Sequence, residues 1–243
     1  MDSAITGGIH RLGDSIVNSY LLEEGGSVTI VDAGVPGYWK RMPDSLAAIG
    51  RSPADVRAIL LTHGHSDHVG FAERARRELN LPVLVHELDA ALARGEVPNP
   101  AKGLGPKHLR PLLGFLTWSA RHGALRTVHV RQVSTFGEGT TLDVPGAPRV
   151  IHVPGHTPGS AALFVAARSA LFVGDALATY VVTTGERGPR IAPFTADRDQ
   201  ALASLTRLEE LDARYVLPGH GPAWSDGADA AVRAVHESEK RAA

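Results

Sequence analysis

The chain has 243 residues, 43% hydrophobic and 21% charged, a balance that excludes a solvated tail or a fibrous chain and fits a single domain over residues 1–243. A net charge of −1 excludes the basic footprint of a nucleic-acid binder. No apolar run reaches the ~20 residues of a bilayer span, and residues 1–8 lack the basic and apolar regions of a secretory signal, so a cytoplasmic protein is expected.

Alternation over residues 15–22 and the apolar run 28–31, joined by the turn signal Glu24-Gly25-Gly26, predict a hairpin. Residues 38–49 are predicted helical, limited by Pro43, and 58–62 form a short buried strand that runs into a histidine-rich loop. Residues 69–79 place Val69, Ala72, Ala75 and Leu79 on one helical face, and 82–86 return as a strand. A Pro- and Gly-punctuated stretch follows from about 88 to 126. Strands are expected at 149–153, 161–165 and 170–173, then an amphipathic helix at 197–211, a strand at 215–217 and a terminal helix at 228–240. In both halves a strand ends at histidine beside glycine, at His63-Gly64-His65 and at Gly219-His220-Gly221. Two half-domains of sheet plus helices would pack sheet to sheet, with helices outside and a crevice at the strand ends.

The absence of cysteine excludes disulfides, thiolate metal ligands and a cysteine nucleophile, while histidine, at 12 residues, is over-represented. The segment Thr62-His63-Gly64-His65-Ser66-Asp67-His68 concentrates metal-binding side chains. In an extended loop His63 and His65 point to one side, and a turn into a helix swings Asp67 and His68 toward a nearby point, so one segment serves two cations. Further candidates each sit beside glycine after a predicted strand: His156 in Pro154-Gly155-His156-Thr157-Pro158-Gly159, Asp175 in Gly174-Asp175-Ala176, and His220.

The order HxHxDH, GHTPGS, GD, GHG, preceded by Val31-Asp32-Ala33-Gly34, resembles the metallo-β-lactamase superfamily from Asp32 to His220. The resemblance implies an α/β fold, a four-layer αββα sandwich. It also implies a first metal on His63, His65 and His156 and a second on Asp67, His68 and His220, with Asp175 bridging them. Asp32 would hydrogen-bond a ligand or its loop rather than a metal, although a plain turn role fits it as well. Two Zn²⁺ are the expected cofactors, with iron or manganese also suited to imidazole and carboxylate. A metal-bridging hydroxide would then hydrolyse an ester, thioester or lactone, with Asp67 as the catalytic carboxylate. The rival readings are a mononuclear iron persulfide dioxygenase using His63, His156 and Asp175, and a non-catalytic metal-binding scaffold. Asp175 stands where the common antibiotic-hydrolysing subclass has cysteine, which disfavours a β-lactamase. With 23 residues after His220 in this sequence, the glutathione-binding domain of glyoxalase II is not expected. Quorum-quenching lactonases carry a tyrosine three residues after the bridging aspartate, whereas here that place is Ala178, leaving Tyr180 as the candidate substrate contact. His10, His86, His108, His122, His129, His152 and His236 are expected to be surface or core residues.

Substrate choice is expected in the inserted segment 88–126. From Val97 to Phe136 there is no Asp or Glu, while Lys102, Lys107, Arg110, Arg121, Arg126 and Arg131 are all basic. Leu112, Leu113, Phe115, Leu116 and Trp118 form an apolar cluster at roughly helical spacing, near the helix breakers Gly103, Gly105, Pro106 and Pro111. Three readings stay open: a cationic apolar lid for a small anionic substrate with an apolar part, core or a homodimer contact, and a membrane-surface contact without insertion.

Overall fold

The computed structural model describes residues 5–101 and 107–242, and its strands fall into two main sheets and a small ribbon. The first sheet has the order β1 (Ile9–Arg11), β2 (Tyr20–Glu24), β3 (Ser27–Val31), β4 (Val56–Leu60), β5 (Val83–His86), β6 (Ser134–Phe136). Its β1–β3 are antiparallel and β3–β6 parallel, so the predicted hairpin is β2–β3 and the later strands need crossovers. The crossovers carry α1 (Met42–Ala47), α2 (Ser66–Val69), α3 (Ala72–Glu78), α4 (Ala90–Ala93) and α5 (Leu109–His122).

The second sheet contains β7 (Arg149–His152), β8 (Ala161–Val165) and β9 (Ala170–Gly174), antiparallel in turn, and ends on β12 (Tyr215–Pro218), parallel to β9. The ribbon β10 (Ala178–Tyr180) and β11 (Arg187–Arg190) intervenes in the chain, with α6 (Arg198–Leu205) before β12 and α7 (Ala228–Ala242) after it.

Alternation along the strands gives each sheet two apolar faces. Leu22, Val31 and Leu60 of the first sheet meet Leu163, Phe172 and Leu217 of the second in one buried cluster, so the sheets face each other. The other face of the first sheet packs Ile30 and Ile59 with Leu46, Ala72 and Ala75 of α1 and α3. The second sheet packs Leu171 and Val216 with Leu205 of α6 and Val232 of α7. The layers are therefore helix, sheet, sheet, helix. Among the described residues no helix is long and apolar enough to cross a membrane.

Several boundaries shift for identifiable reasons. The predicted helix 38–49 divides into a 3₁₀ turn, Pro36–Lys40, and α1, because Pro43 is accommodated only in a first turn. The helix expected at 69–79 starts earlier, at Ser66, and breaks at Gly70, where a Cβ would lie 2.1 Å from the Gly34 carbonyl oxygen. Helix 197–211 ends as α6 at Leu205 and tightens into a 3₁₀ turn, with Asp197 capping the Gln200 N–H. The strand expected from residue 15 begins only at Tyr20, because the preceding backbone bonds to the Gly219–Gly221 turn instead.

In the 88–126 segment Pro111 is no breaker but sits in the first turn of α5. The five apolar residues do not form one cluster: Phe115 and Trp118 stack on the inner side, whereas Leu113 and Leu116 are exposed. Lys102, Gly103, Gly105 and Pro106 lie outside the described residues.

Candidate metal centre

Every predicted ligand lies on a loop leaving the C-terminal end of a strand. His63 and His65 follow β4, with Asp67 and His68 in the first turn of α2; His156 follows β7, Asp175 follows β9 and His220 follows β12. Parallel strands align these ends, and the face-to-face sheets bring both sets together. The side-chain ligand atoms converge in three groups, each within 4.8 Å: His63, His65 and His156; His63, His68 and Asp175; Asp67, His68 and His220. All are buried except Asp67, whose side chain is 31% exposed at the mouth.

Close approach of these loops fixes glycine at two places. A Cβ on Gly219 would lie 2.2 Å from Asp175 Oδ1 and 2.5 Å from His68 Cε1, and Gly155, at φ 133°, abuts the Ala201 backbone.

Each histidine donates its outer N–H away from the centre. His68 Nδ1 donates to Asp32 Oδ2 at 2.8 Å, and His220 Nδ1 to the Ile16 carbonyl. His65 Nε2 donates to Asn99 Oδ1 at 3.0 Å. His156 Nδ1 donates to Thr195 Oγ1 at 3.1 Å, whose own hydroxyl donates to the Ala192 carbonyl. His63 Nδ1 donates to Thr62 Oγ1 at 3.2 Å, and that hydroxyl donates to Asp32 Oδ2 at 2.8 Å. The outer bonds set the tautomers, so each imidazole in its neutral form turns its lone pair inward.

Asp32 therefore orients His68 directly and His63 through Thr62. Its own backbone sits at φ 58°, an uncommon conformation for a non-glycine residue, held by Thr62 N–H donating to Oδ1 at 2.8 Å. The Asp-Ala-Gly motif thus does more than make a turn.

The inner atoms lie close to one another. His65 Nδ1 and His156 Nε2 are 3.0 Å apart, and His68 Nε2 lies 3.4 Å from Asp175 Oδ1. His63 Nε2, His68 Nε2 and Asp175 Oδ1 are buried with no hydrogen-bond partner among the described residues. Burial pushes His63 and His156 well below the ordinary histidine pKa, and His65 below it. Burial opposes charge on His68 and His220 too, yet the neighbouring carboxylates prevail, holding His68 well above its ordinary value and His220 at about 9. Burial likewise disfavours ionised Asp175, but His220 and His68 outweigh it and hold its carboxyl well below the usual range. The cluster therefore combines three neutral imidazoles, His63, His65 and His156, with an Asp175 carboxylate that draws positive charge onto His68 and His220.

Sequence reasoning missed four residues. Asp89, fully buried, accepts from Gly64 N–H, Thr157 Oγ1 and Gly159 N–H, each at 2.7 Å, and so ties the His63/His65 loop to the His156 loop. Asn18 donates to the Pro218 and Gly221 carbonyls at 2.8 and 2.7 Å and clamps the turn that carries His220. Asn99 and Thr195 orient His65 and His156. Tyr180 lies beside the His220 loop, with the Arg187 guanidinium 5.5 Å from its ring centroid. Of the histidines set aside, His86 and His152 stack on each other, 4.3 Å between centroids, outside the ligand groups. A cavity of about 420 Å³ adjoins the cluster at His65, lined among others by Ser66, Leu92, Val97, Asn99 and Val128.

The probable metallo-hydrolase YflN of Bacillus subtilis strain 168 is 29% identical over 231 residues, spanning 88% of this chain and 84% of that protein. Among solved structures, the metallo-beta-lactamase family protein TTHA1429 from Thermus thermophilus superposes with a TM-score of 0.69 at 27% identity, covering 97% of this chain and 80% of that one. TTHA1623 in a di-iron-bound form gives 0.61 at 28% identity, covering 93% and 98%. The sequence model of the metallo-beta-lactamase superfamily matches residues 12–220, from before Asp32 through the last candidate ligand. With that match and this architecture, the chain belongs to the metallo-beta-lactamase superfamily and has its fold.

Proposed function

We propose that this protein is a dinuclear metal-dependent hydrolase acting on a small ester, thioester or lactone. The observation that carries this reading is the set of five imidazoles, each turning one ring nitrogen inward and fixed by an outward hydrogen bond, around the buried Asp175 carboxylate. Ring nitrogens and a carboxylate crowded in this way are satisfied by cations between them, protons on His68 and His220 in the free protein and metal ions when bound. His63, His65 and His156 would hold one ion, and Asp67, His68 and His220 the other, with Asp175 shared. Zinc suits this nitrogen and oxygen set, as does iron, which the related TTHA1623 holds as a pair. When bound, the ions would supply Lewis-acid polarisation and a water of lowered pKa.

The chain's own groups do the rest. Asp67, partly exposed and 3.5 Å from His220 Nε2, would orient an attacking water and take its proton. That proton then passes to the leaving oxygen or sulfur as the acyl bond breaks. Asp32, Thr62, Asn99, Thr195 and the Ile16 carbonyl keep the histidines from rotating. The cavity beside His65 has room for the substrate's acyl part, and Tyr180, beside the His220 loop, is the candidate substrate contact. The complete Asp67, His68, His220 group supports two ions over a mononuclear iron dioxygenase.

Elemental analysis of protein purified without added metal tests the reading. Two zincs per chain, with hydrolysis of at least one member of an ester, thioester and lactone panel that Asp67→Asn removes, is the expected result. A single iron moves the protein to the dioxygenase class, and no metal under any loading overturns both.

A further inference from the structure

Helix α5 carries an amphipathic pattern turned outward. Leu109, Leu113 and Leu116 recur one turn apart on one face and are 74%, 52% and 44% exposed, with Leu125 beyond the helix end 64% exposed. The opposite face holds the helix to the body. Trp118 Nε1 donates to Asp14 Oδ2 at 3.0 Å, Trp118 stacks on His122, and His122 meets Arg41 at 3.1 Å. A lid closes with its apolar side inward, whereas here the inward side is aromatic and already partnered, and the leucines point to solvent. The flanks are basic: Lys107, Arg110, Arg121 and Arg126 are exposed, and Arg110 and Arg121 lie about three turns apart on one side of the leucine stripe. No acidic residue occurs from Val97 to Phe136 to offset them.

We propose that this face docks on an anionic lipid surface, the leucines entering the interface and the basic flank meeting the headgroups. Charge selects this occupant over a second copy of the chain. In a two-fold contact the patch would meet itself, setting the same cations against one another around the apolar contact. An anionic bilayer satisfies both halves of the pattern at once, since exposed leucine gains from leaving water and each arginine gains from the surface potential. The proposal is independent of the reaction catalysed at the metal centre.

Co-sedimentation of the full chain with phosphatidylcholine vesicles, with and without phosphatidylglycerol, tests it. Binding is expected only to the phosphatidylglycerol-containing vesicles and should weaken at high salt. The triple variant Leu109→Ser, Leu113→Ser, Leu116→Ser and the double variant Arg110→Glu, Arg121→Glu should each reduce it about tenfold or more. All five side chains are exposed, so circular dichroism and the melting temperature should be unchanged. Equal binding to both vesicle types, no binding at low salt, or binding that survives the leucine substitutions overturns the proposal. A dimer in sedimentation equilibrium that the leucine substitutions dissolve also overturns it and assigns the face to a second copy.

Discussion

Asp89→Asn isolates the link between the two halves of the metal centre without touching a ligand. The carboxylate accepts three hydrogen bonds of 2.7 Å in a fully buried position, two at Oδ2 from Gly64 N–H and Thr157 Oγ1 and one at Oδ1 from Gly159 N–H. An asparagine keeps one oxygen. With that oxygen at the junction of two donors, its amide nitrogen faces the Gly159 N–H, donor against donor, and the two retained bonds lose their charge assistance. Losing one charge-assisted bond and leaving a buried N–H unpaired should destabilise the metal-free protein by about 3 kcal/mol. Thr157→Val, which removes the hydroxyl's bonds to the carboxylate and to Ser160 Oγ but leaves both N–H groups paired with Asp89, should cost about 1–2 kcal/mol. Because Gly64 and Gly159 flank His63, His65 and His156, zinc affinity of the Asp89→Asn variant should also fall, by roughly 10–100-fold. Urea unfolding with chelator present measures the first quantity, and competition with a zinc indicator the second, which keeps metal linkage out of the stability value. If Asp89→Asn costs no more than Thr157→Val and binds zinc as the parent does, the coupling assigned to Asp89 is wrong.

Asp32→Asn should lower zinc affinity at both sites, since with its oxygen at the Thr62 hydroxyl and His68 N–H its amide would oppose the Thr62 backbone N–H and the two retained bonds would lose their charge assistance; an effect confined to thermal stability would leave Asp32 a turn residue only. Gly219→Ala should abolish metal loading with the secondary structure retained, because its Cβ would stand 2.2 Å from Asp175 Oδ1, and normal loading would contradict the packing. For pH, burial first and the His152 charge second hold His86 below its ordinary 6.5, so the unfolded chain takes up a proton that the folded chain resists. Stability contributed there is full above 6.5 and declines as pH falls toward the lower folded value. The difference in unfolding free energy between parent and His86→Gln should therefore change across that window, and parallel curves would refute it.

The ligand residues were legible because their chemistry is local: three histidines and an aspartate within one short segment, and glycine beside each later ligand. The two-sheet architecture was legible for a similar reason, since apolar runs such as Ile59–Leu60–Leu61 announce buried parallel strands. Short elements carried no such pattern. β11 reads Arg187-Gly188-Pro189-Arg190, composition typical of a turn, and is a strand only because β10 pairs with it. The helical spacing of Leu112 to Trp118 was legible, and only the start of α5 was masked by Pro111, although proline in a first turn is no obstacle.

Alignment of the ligands is a different kind of information. Asp89 acts on partners 25, 68 and 70 residues away, and Asn18 on carbonyls 200 and 203 residues away, separations at which no motif spacing operates. Which nitrogen of each histidine faces inward is decided by what its outer nitrogen finds: a hydroxyl at Thr62 and Thr195, an amide at Asn99, a carboxylate at Asp32. For His220 the partner is the backbone carbonyl of Ile16, a group every residue possesses and no side chain advertises. That carbonyl is free to accept because residues 15–19 leave the strand their alternation suggests and bond instead to the His220 turn. The departure from the expected strand and the orientation of the last ligand are thus one structural event, in which an extension of β2 is exchanged for a fixed imidazole.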